Sequence, residues 1–224
     1  MMLKPLPLIV PENIMEQLIH QIPRLEFKLA ITQPTGNFFY DPWIMKEDYL
    51  GTVWEEVISM LPGPIGEARL IKLEPEQAYT SHADIDDRWH LNIQADKAYL
   101  IDLEKEQMHK IVTDRVWYDM DAGPIHTAAN FGSYPRIQLV VRKLLLKNQL
   151  IAPVKVLVKP KTVDKFRHKF DNLVSTWLNR ANKNSWIANF QFTGTEVSFE
   201  CEAGKVSELL ILLNQLDCHS SISM

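Results

Sequence analysis

Cysteine is nearly absent from this chain: Cys201 and Cys218 are the only two in 224 residues. That excludes a disulfide framework and a cysteine-based metal site, and it fits a reducing compartment. Long apolar runs are also lacking. None approaches the roughly 18 residues needed to span a bilayer. The opening MMLKPLPLIVPENIMEQ is too broken by prolines for the apolar core of a signal peptide. The chain therefore reads as soluble and cytoplasmic, with no membrane partner. Basic excess is missing too, since the net charge of -4 argues against wholesale nucleic-acid binding. No internal repeat or low-complexity tract occurs. What remains is an ordinary globular composition, 46% hydrophobic and 23% charged, sufficient for a packed core.

Periodicity divides the chain in three. Residues 11–22 predict a short helix, with Pro11 at its first position, Glu12 near the positive dipole end, and Ile14, Leu18 and Ile22 at helical spacing. A second helix is expected over about 46–61, where Tyr49, Val53, Val57 and Leu61 share a stripe until LPGPIG ends it. From Glu67 to about Leu146, short runs (ARLIKL, WHLNI, KAYLIDL, HKIVT, RVWYDM, RIQLVVRKLL) are separated by polar or Gly/Pro punctuation. This texture predicts a mainly β fold, an antiparallel jelly-roll barrel with helical buttresses. The tail after Pro153 predicts a small α+β segment of βαββα order. In it VKVLVKP is a strand, Thr162 caps a long helix, WIANFQFTG and TEVSFECEA pair as a hairpin, and Val206 to Leu216 form a final helix. The expected domains are 1–150 and 151–224.

The stretch SHADIDDRWH, residues 81–90, concentrates the chemistry. Side chains two apart on a strand share a face, so His82 and Asp84 present an imidazole and a carboxylate side by side. His126 stands just before a turn in GPIHTAANFGSYPR, and Arg136 opens the next strand. Two histidines and one carboxylate on a β scaffold are the donor set that holds non-haem Fe(II) with open positions. A nearby arginine can fork onto a carboxylate. Asp86 and Asp87 read as solvated loop carboxylates, and Trp89 as core.

In these segments the chain resembles the Fe(II)/2-oxoglutarate oxygenases, in particular the aspartyl/asparaginyl β-hydroxylase-like branch, to which bacterial free-proline hydroxylases are related. The resemblance covers about residues 65–142, and rests on ARLIKLEPEQAYTSHADIDDRWHLNI and on HTAANFGSYPR. It implies a double-stranded β-helix of cupin-like form, with His82, Asp84 and His126 as iron ligands. It implies that Arg136 holds the far carboxylate of 2-oxoglutarate. Arg88, His90 and Asn130 match residues that the family places around the co-substrate. The vertebrate β-hydroxylase has glycine where Asp84 stands, so this chain keeps a fuller ligand set. The implied activity is hydroxylation of an unactivated carbon of an amino acid, free or within a polypeptide, using Fe(II), 2-oxoglutarate and O2.

Two other readings stay open at this point. A cupin-type barrel with the same donors could serve a metal-dependent isomerase or lyase without 2-oxoglutarate, or a binding module without turnover. The aromatic connector Phe38 to Trp43 and the C-terminal segment are candidate pocket walls, and no substrate residue is assigned. Lys155, Lys159, Lys161, Lys165, Arg167, Lys169, Arg180 and Lys183 make the tail basic, which raises an anionic partner against the plainer reading of a solvated helix face.

Overall fold

The structure is a computed structural model that describes residues 2–22, 30–160, 170–192, 196–215 and 218–223. Strand outweighs helix, 41% against 24%, so the chain is mainly β with several antiparallel sheets and some helices, as its texture predicts. The chain divides into two compact units. One holds residues 1–80, 87–121 and 126–144; the other holds 81–86, 122–125 and 145–224.

The first unit carries eleven of the strands. They are β1 (Leu3–Ile9), β2 (Thr32–Pro34), β3 (Trp43–Met45), β4 (Ile65–Leu73), β5 (Gln77–Ala78), β6 (Arg88–Gln94), β7 (Ala98–Asp102), β8 (Gln107–Lys110), β9 (Val116–Met120), β10 (His126–Asn130) and β11 (Arg136–Lys143). One sheet runs in the order β1-β9-β6-β11-β4 and a second in the order β5-β10-β7-β8, while β2 and β3 form a small ribbon. Every pair is antiparallel.

Alternation decides what each face of the five-stranded sheet does. On β6, Trp89, Leu91 and Ile93 point one way; on β11, Ile137, Leu139 and Val141 do the same. These side chains pack with two helices, α1 (Glu12–Gln21) and α2 (Val53–Ser59), through Ile14, Leu18, Trp54 and Val57. The opposite parity carries Arg88, His90 and Asn92 on β6 and Arg136, Gln138 and Arg142 on β11, all buried. A polar row on a strand normally faces water. Here it faces the interior.

Several expected elements differ. Pro11 is the N-cap of α1 rather than its first helical residue. The helix expected over 46–61 breaks into a 3-10 turn, Glu47–Tyr49, and the shorter α2. The cause is local. Gly51 takes a positive φ of 68°, Thr52 accepts a hydrogen bond from the Trp54 N–H, and the Glu55 carboxylate reaches back to the Gly51 N–H at 2.7 Å. The result closely resembles a capping box, so the helix starts at Val53. Strand β1 was hidden by Pro5 and Pro7, yet it lies at the edge of its sheet, where a missing N–H is tolerated. Strand β10, which begins at His126, was also unforeseen because HTAAN lacks the branched and aromatic residues that mark strands.

The second unit contains a four-stranded sheet in the order β13-β14-β12-β15, where β12 is Pro153–Pro160, β13 Ile187–Phe192, β14 Val197–Glu202 and β15 Cys218–Ser223. Val154, Val156 and Val158 are buried, as are Phe190 and Phe199, whose rings stack at 6.5 Å. Helix Ser175–Lys183 contributes Trp177 and Leu178 to the core, and helix Val206–Gln215 contributes Leu209 and Leu213. The predicted hairpin is β13 and β14; β15 is an added strand. The helix expected from Thr162 falls partly on residues 161–169, outside the described residues; what is described is a π-turn at Phe170–Val174 followed by helix Ser175–Lys183.

Because Thr52 sets the start of α2, Thr52→Ala should cost about 1 kcal/mol of stability. Denaturant unfolding measures this; an unchanged midpoint would show that the cap contributes nothing.

Candidate metal centre

Two hydrogen-bonded runs bring the donor residues together. Ala78 on β5 pairs with Ala129 on β10. Beyond it the Tyr79 N–H donates to the Ala128 carbonyl at 2.9 Å, and the Thr127 hydroxyl donates to the Tyr79 carbonyl at 2.6 Å. Further along, the Asp84 N–H donates to the Ala122 carbonyl at 2.9 Å. Residues 77–84 therefore run antiparallel to 122–130, and His82 falls opposite the chain that leads into His126.

The consequence is geometric. His82, Asp84 and His126 each offer one ligand atom, and the three atoms lie within 4.8 Å of one another. The His82 Nε2 to Asp84 Oδ2 distance is 3.9 Å. First-row cations take such donors at about 2.0–2.2 Å. Three atoms with that spacing lie no more than about 2.8 Å from a common centre, so small side-chain rotations would complete a coordination shell. His126 is buried, whereas His82 and Asp84 are half-buried, which leaves an approach for a small ligand.

The loop that carries His82 and Asp84 is held from a second direction. The Asn179 side-chain amide, on helix Ser175–Lys183, donates to the Asp84 carbonyl at 3.3 Å. Thr176 on the same helix donates to the Gly123 carbonyl at 2.8 Å. Gly123 must be glycine, because a Cβ there would lie 2.6 Å from the Asn179 Oδ1. The expectation for Asp86 is corrected here: that residue is 4% exposed, not solvated. Asp87 is half-buried.

Arg136, the first residue of β11, is 4% exposed. Its backbone is fixed from both sides: Gln94 donates to the Pro135 carbonyl at 2.7 Å, and Asn130 donates to the Tyr134 carbonyl at 3.0 Å. Its Nη2 donates to the Gln138 side-chain carbonyl. Its Nε and Nη1 are buried and make no hydrogen bond among the described residues. Burial pulls the guanidinium down to about 10, with Tyr79 acting in the opposite direction. The group therefore keeps its proton at neutral pH, and the fold carries the cost of a desolvated cation. That cost falls as pH rises through about 10, or when an anion binds. The Tyr79 hydroxyl is itself raised by burial, against the pull of Arg136 and Arg69, and donates to the Lys72 carbonyl at 3.3 Å.

The other sequence-derived residues fall as follows. Arg88 and His90 lie on the inward parity of β6 with Asn92. Asn130 is fully buried and its amide is fully committed: it donates to Leu73 and Tyr134 carbonyls and accepts from the Gly132 N–H. Its work in this structure is to shape the turn that leads to Arg136. The Phe38–Phe39 part of the aromatic connector lies against Arg142, whose guanidinium sits 3.9 Å from the Phe38 ring centre. Of the basic tail, Lys161, Lys165, Arg167 and Lys169 lie outside the described residues, Lys159 pairs with Glu196 at 2.6 Å, and Arg180 faces Trp186.

Sequence reasoning missed Asn92, Gln138 and Tyr79. The signal was there as parity: Asn92 is two residues beyond His90, and Gln138 two beyond Arg136. A polar residue at every second strand position ordinarily marks a solvent face, so alternation alone does not single these residues out. Among the described residues no helix is long and apolar enough to cross a membrane. No family of known proteins matches the chain, and no curated protein does.

Two outcomes follow from this geometry. Asn130→Ala removes three buried hydrogen bonds and should lower stability by about 2–3 kcal/mol, read from denaturant unfolding. Asn179→Ala should weaken divalent-metal binding roughly tenfold while leaving every donor in place, as loss of a supporting contact does elsewhere. Equal metal affinity for that variant and the parent protein would remove the tether from the account.

Proposed function

We propose that this protein is an Fe(II)- and 2-oxoglutarate-dependent dioxygenase that hydroxylates an unactivated carbon of an amino acid, free or within a polypeptide. One observation carries the reading. A trio of two imidazoles and a carboxylate, with donor atoms within 4.8 Å, occurs in a chain whose inward-facing β11 holds a buried guanidinium with two nitrogens, Nε and Nη1, that make no hydrogen bond among the described residues.

The donor set fits the metal. Two histidines and one carboxylate on one side of an ion leave positions open for a bidentate 2-oxo acid and for oxygen, which is the arrangement of non-haem Fe(II) oxygenases. The buried arginine fits the co-substrate. Its planar fork matches a carboxylate, and an anion there would offset the desolvation of the charge. Strand order supports a double-stranded β-helix. Eight successive strands, β4 to β11, fall into the orders β4-β11-β6-β9 and β5-β10-β7-β8, an interleaving of two four-stranded sheets typical of jelly rolls.

When bound, iron and 2-oxoglutarate would supply oxidative decarboxylation coupled to hydroxylation of a C–H bond. The protein's own part is binding and orientation. His82, Asp84 and His126 would hold the metal, and Arg136 would take the far carboxylate. Arg88 and His90 would share the inward face of the sheet with Arg136, from β6, and Asn130 would keep the turn before Arg136 in shape. In an isomerase or lyase Arg136 would bind the substrate instead and 2-oxoglutarate would play no part, so the two readings differ in whether 2-oxoglutarate binds at the metal.

Anaerobic addition of Fe(II) and 2-oxoglutarate should produce a weak visible charge-transfer band, and aerobic turnover with amino acids or short peptides should release succinate. Absence of the band would end the proposal. His126→Ala should abolish iron-dependent turnover. Arg136→Lys keeps the charge but loses the fork, so the KM for 2-oxoglutarate should rise about tenfold or more; an unchanged KM would take Arg136 out of the site.

A further inference from the structure

We propose that Gln138 and Asn92 are positioning residues that hold the Arg136 fork in one orientation, through a one-way train of hydrogen bonds, and so make the site select a diacid over a monoacid. The inference rests on the reading of Arg136 given above. It assigns the selectivity to two neutral side chains that touch neither metal nor co-substrate.

The direction of the train follows from what each group can donate. A guanidinium only donates, so the Gln138 side-chain carbonyl must face Arg136 Nη2, as it does. The Gln138 Nε2 is then turned toward β6, where it donates to the Asn92 Oδ1 at 2.6 Å. That in turn leaves the Asn92 Nδ2 to donate, and it does so to the Val112 carbonyl at 3.0 Å. The train ends on a backbone acceptor, which cannot turn round. Each amide is thereby fixed against a 180° flip by the next, and the last is fixed by the main chain.

Burial makes the arrangement consequential. Gln138 and Asn92 are each 2% exposed and lie directly opposite one another in the β11–β6 register. The register shifts between Ile137 and Gln138, with the extra residue, Ile93, on β6 next to Asn92; bulges re-aim side chains on the bulged strand. With Nη2 tied to Gln138, the fork cannot rotate about its own stem. Nη2 carries a second N–H beside the one given to Gln138, and it stands next to Nε and Nη1, which make no hydrogen bond among the described residues. Each two-donor edge of a guanidinium includes Nη2, paired with Nε or with Nη1, so the N–H that Gln138 takes decides which edge is left for a carboxylate to meet with two parallel bonds. Loss of the tie would let the edge wander, and neither bond to the far carboxylate would then be made at full strength.

The substitutions are Asn92→Leu, Gln138→Met and Gln138→Glu in the full chain loaded anaerobically with Fe(II). The measurement is the ratio of affinities for 2-oxoglutarate and for 2-oxopentanoate, which has the same chelating end and length but no far carboxylate. The band at the metal reports both, and thermal melting reports the fold. The parent protein should prefer the diacid. Asn92→Leu and Gln138→Met should each lower that preference about tenfold, with 2-oxopentanoate affinity unchanged. Gln138→Glu should abolish the preference, since a carboxylate at that position takes the guanidinium for itself. A purely structural role would shift melting without moving the ratio. A preference retained in Gln138→Glu and in Gln138→Met overturns the inference, and Gln138→Glu alone decides it if the apolar variants do not fold, because it keeps the size and polarity of the native side chain. A parent protein that gives no band with 2-oxoglutarate, or binds both acids equally, refutes the underlying reading instead.

Discussion

The antiparallel run of residues 77–84 against 122–130 is the constraint from which the rest of this structure follows. Its bonds are ordinary main-chain and hydroxyl contacts, at Ala78, Tyr79, Thr127 and Asp84. Their effect is to make a loop with no strand of its own behave as the continuation of one. Two donors two residues apart are thereby brought alongside a third more than forty residues away in the chain. Chain entropy would oppose such a convergence strongly if it depended on side chains alone. Here the backbone ladder bears that cost, and helix Ser175–Lys183 adds the Asn179 and Thr176 contacts.

A second theme is the use of buried polarity. Arg136, Gln138, Asn92, His90 and Arg88 occupy the inward parity of two adjacent strands. Aliphatic residues there would make a more stable sheet, since burying charge and amide groups costs free energy unless each is bonded. Gln138, Asn92 and Asn130 have their bonds within the protein, whereas Arg136 has only part of its set. A buried cation with part of its hydrogen-bonding set unmet calls for a physical explanation, and an anionic ligand would supply one. The C-terminal unit fits the same economy of roles, since one of its helices reaches the loop that carries two donors.

How legible this was in the amino-acid order varied by element. Strands β4, β6, β7, β9 and β11 announce themselves through branched and aromatic residues between Gly/Pro or polar breaks. The hairpin β13–β14 does so equally. Strand β10 does not, because HTAAN has no side-chain preference for an extended chain and is a strand only by pairing with β5 and β7. The break between Tyr49 and Val53 was readable from Gly51, Thr52 and Glu55, but a hydrophobic stripe running across it masked the cap. Asp86 looked solvated because charge normally implies exposure, whereas the fold buries it.

The sequence by itself determined the class of the fold, the pairing of His82 with Asp84, and the candidates His126 and Arg136. It could do so because period-two alternation and residue chemistry are local properties, visible within a few positions. Tertiary structure alone decided that the three donors come within 4.8 Å of one another, that a row of polar side chains lies inside rather than outside, and that Asn92 stands behind Gln138. Those facts depend on strand register and on which face of a sheet is covered, and neither is set until distant segments pair.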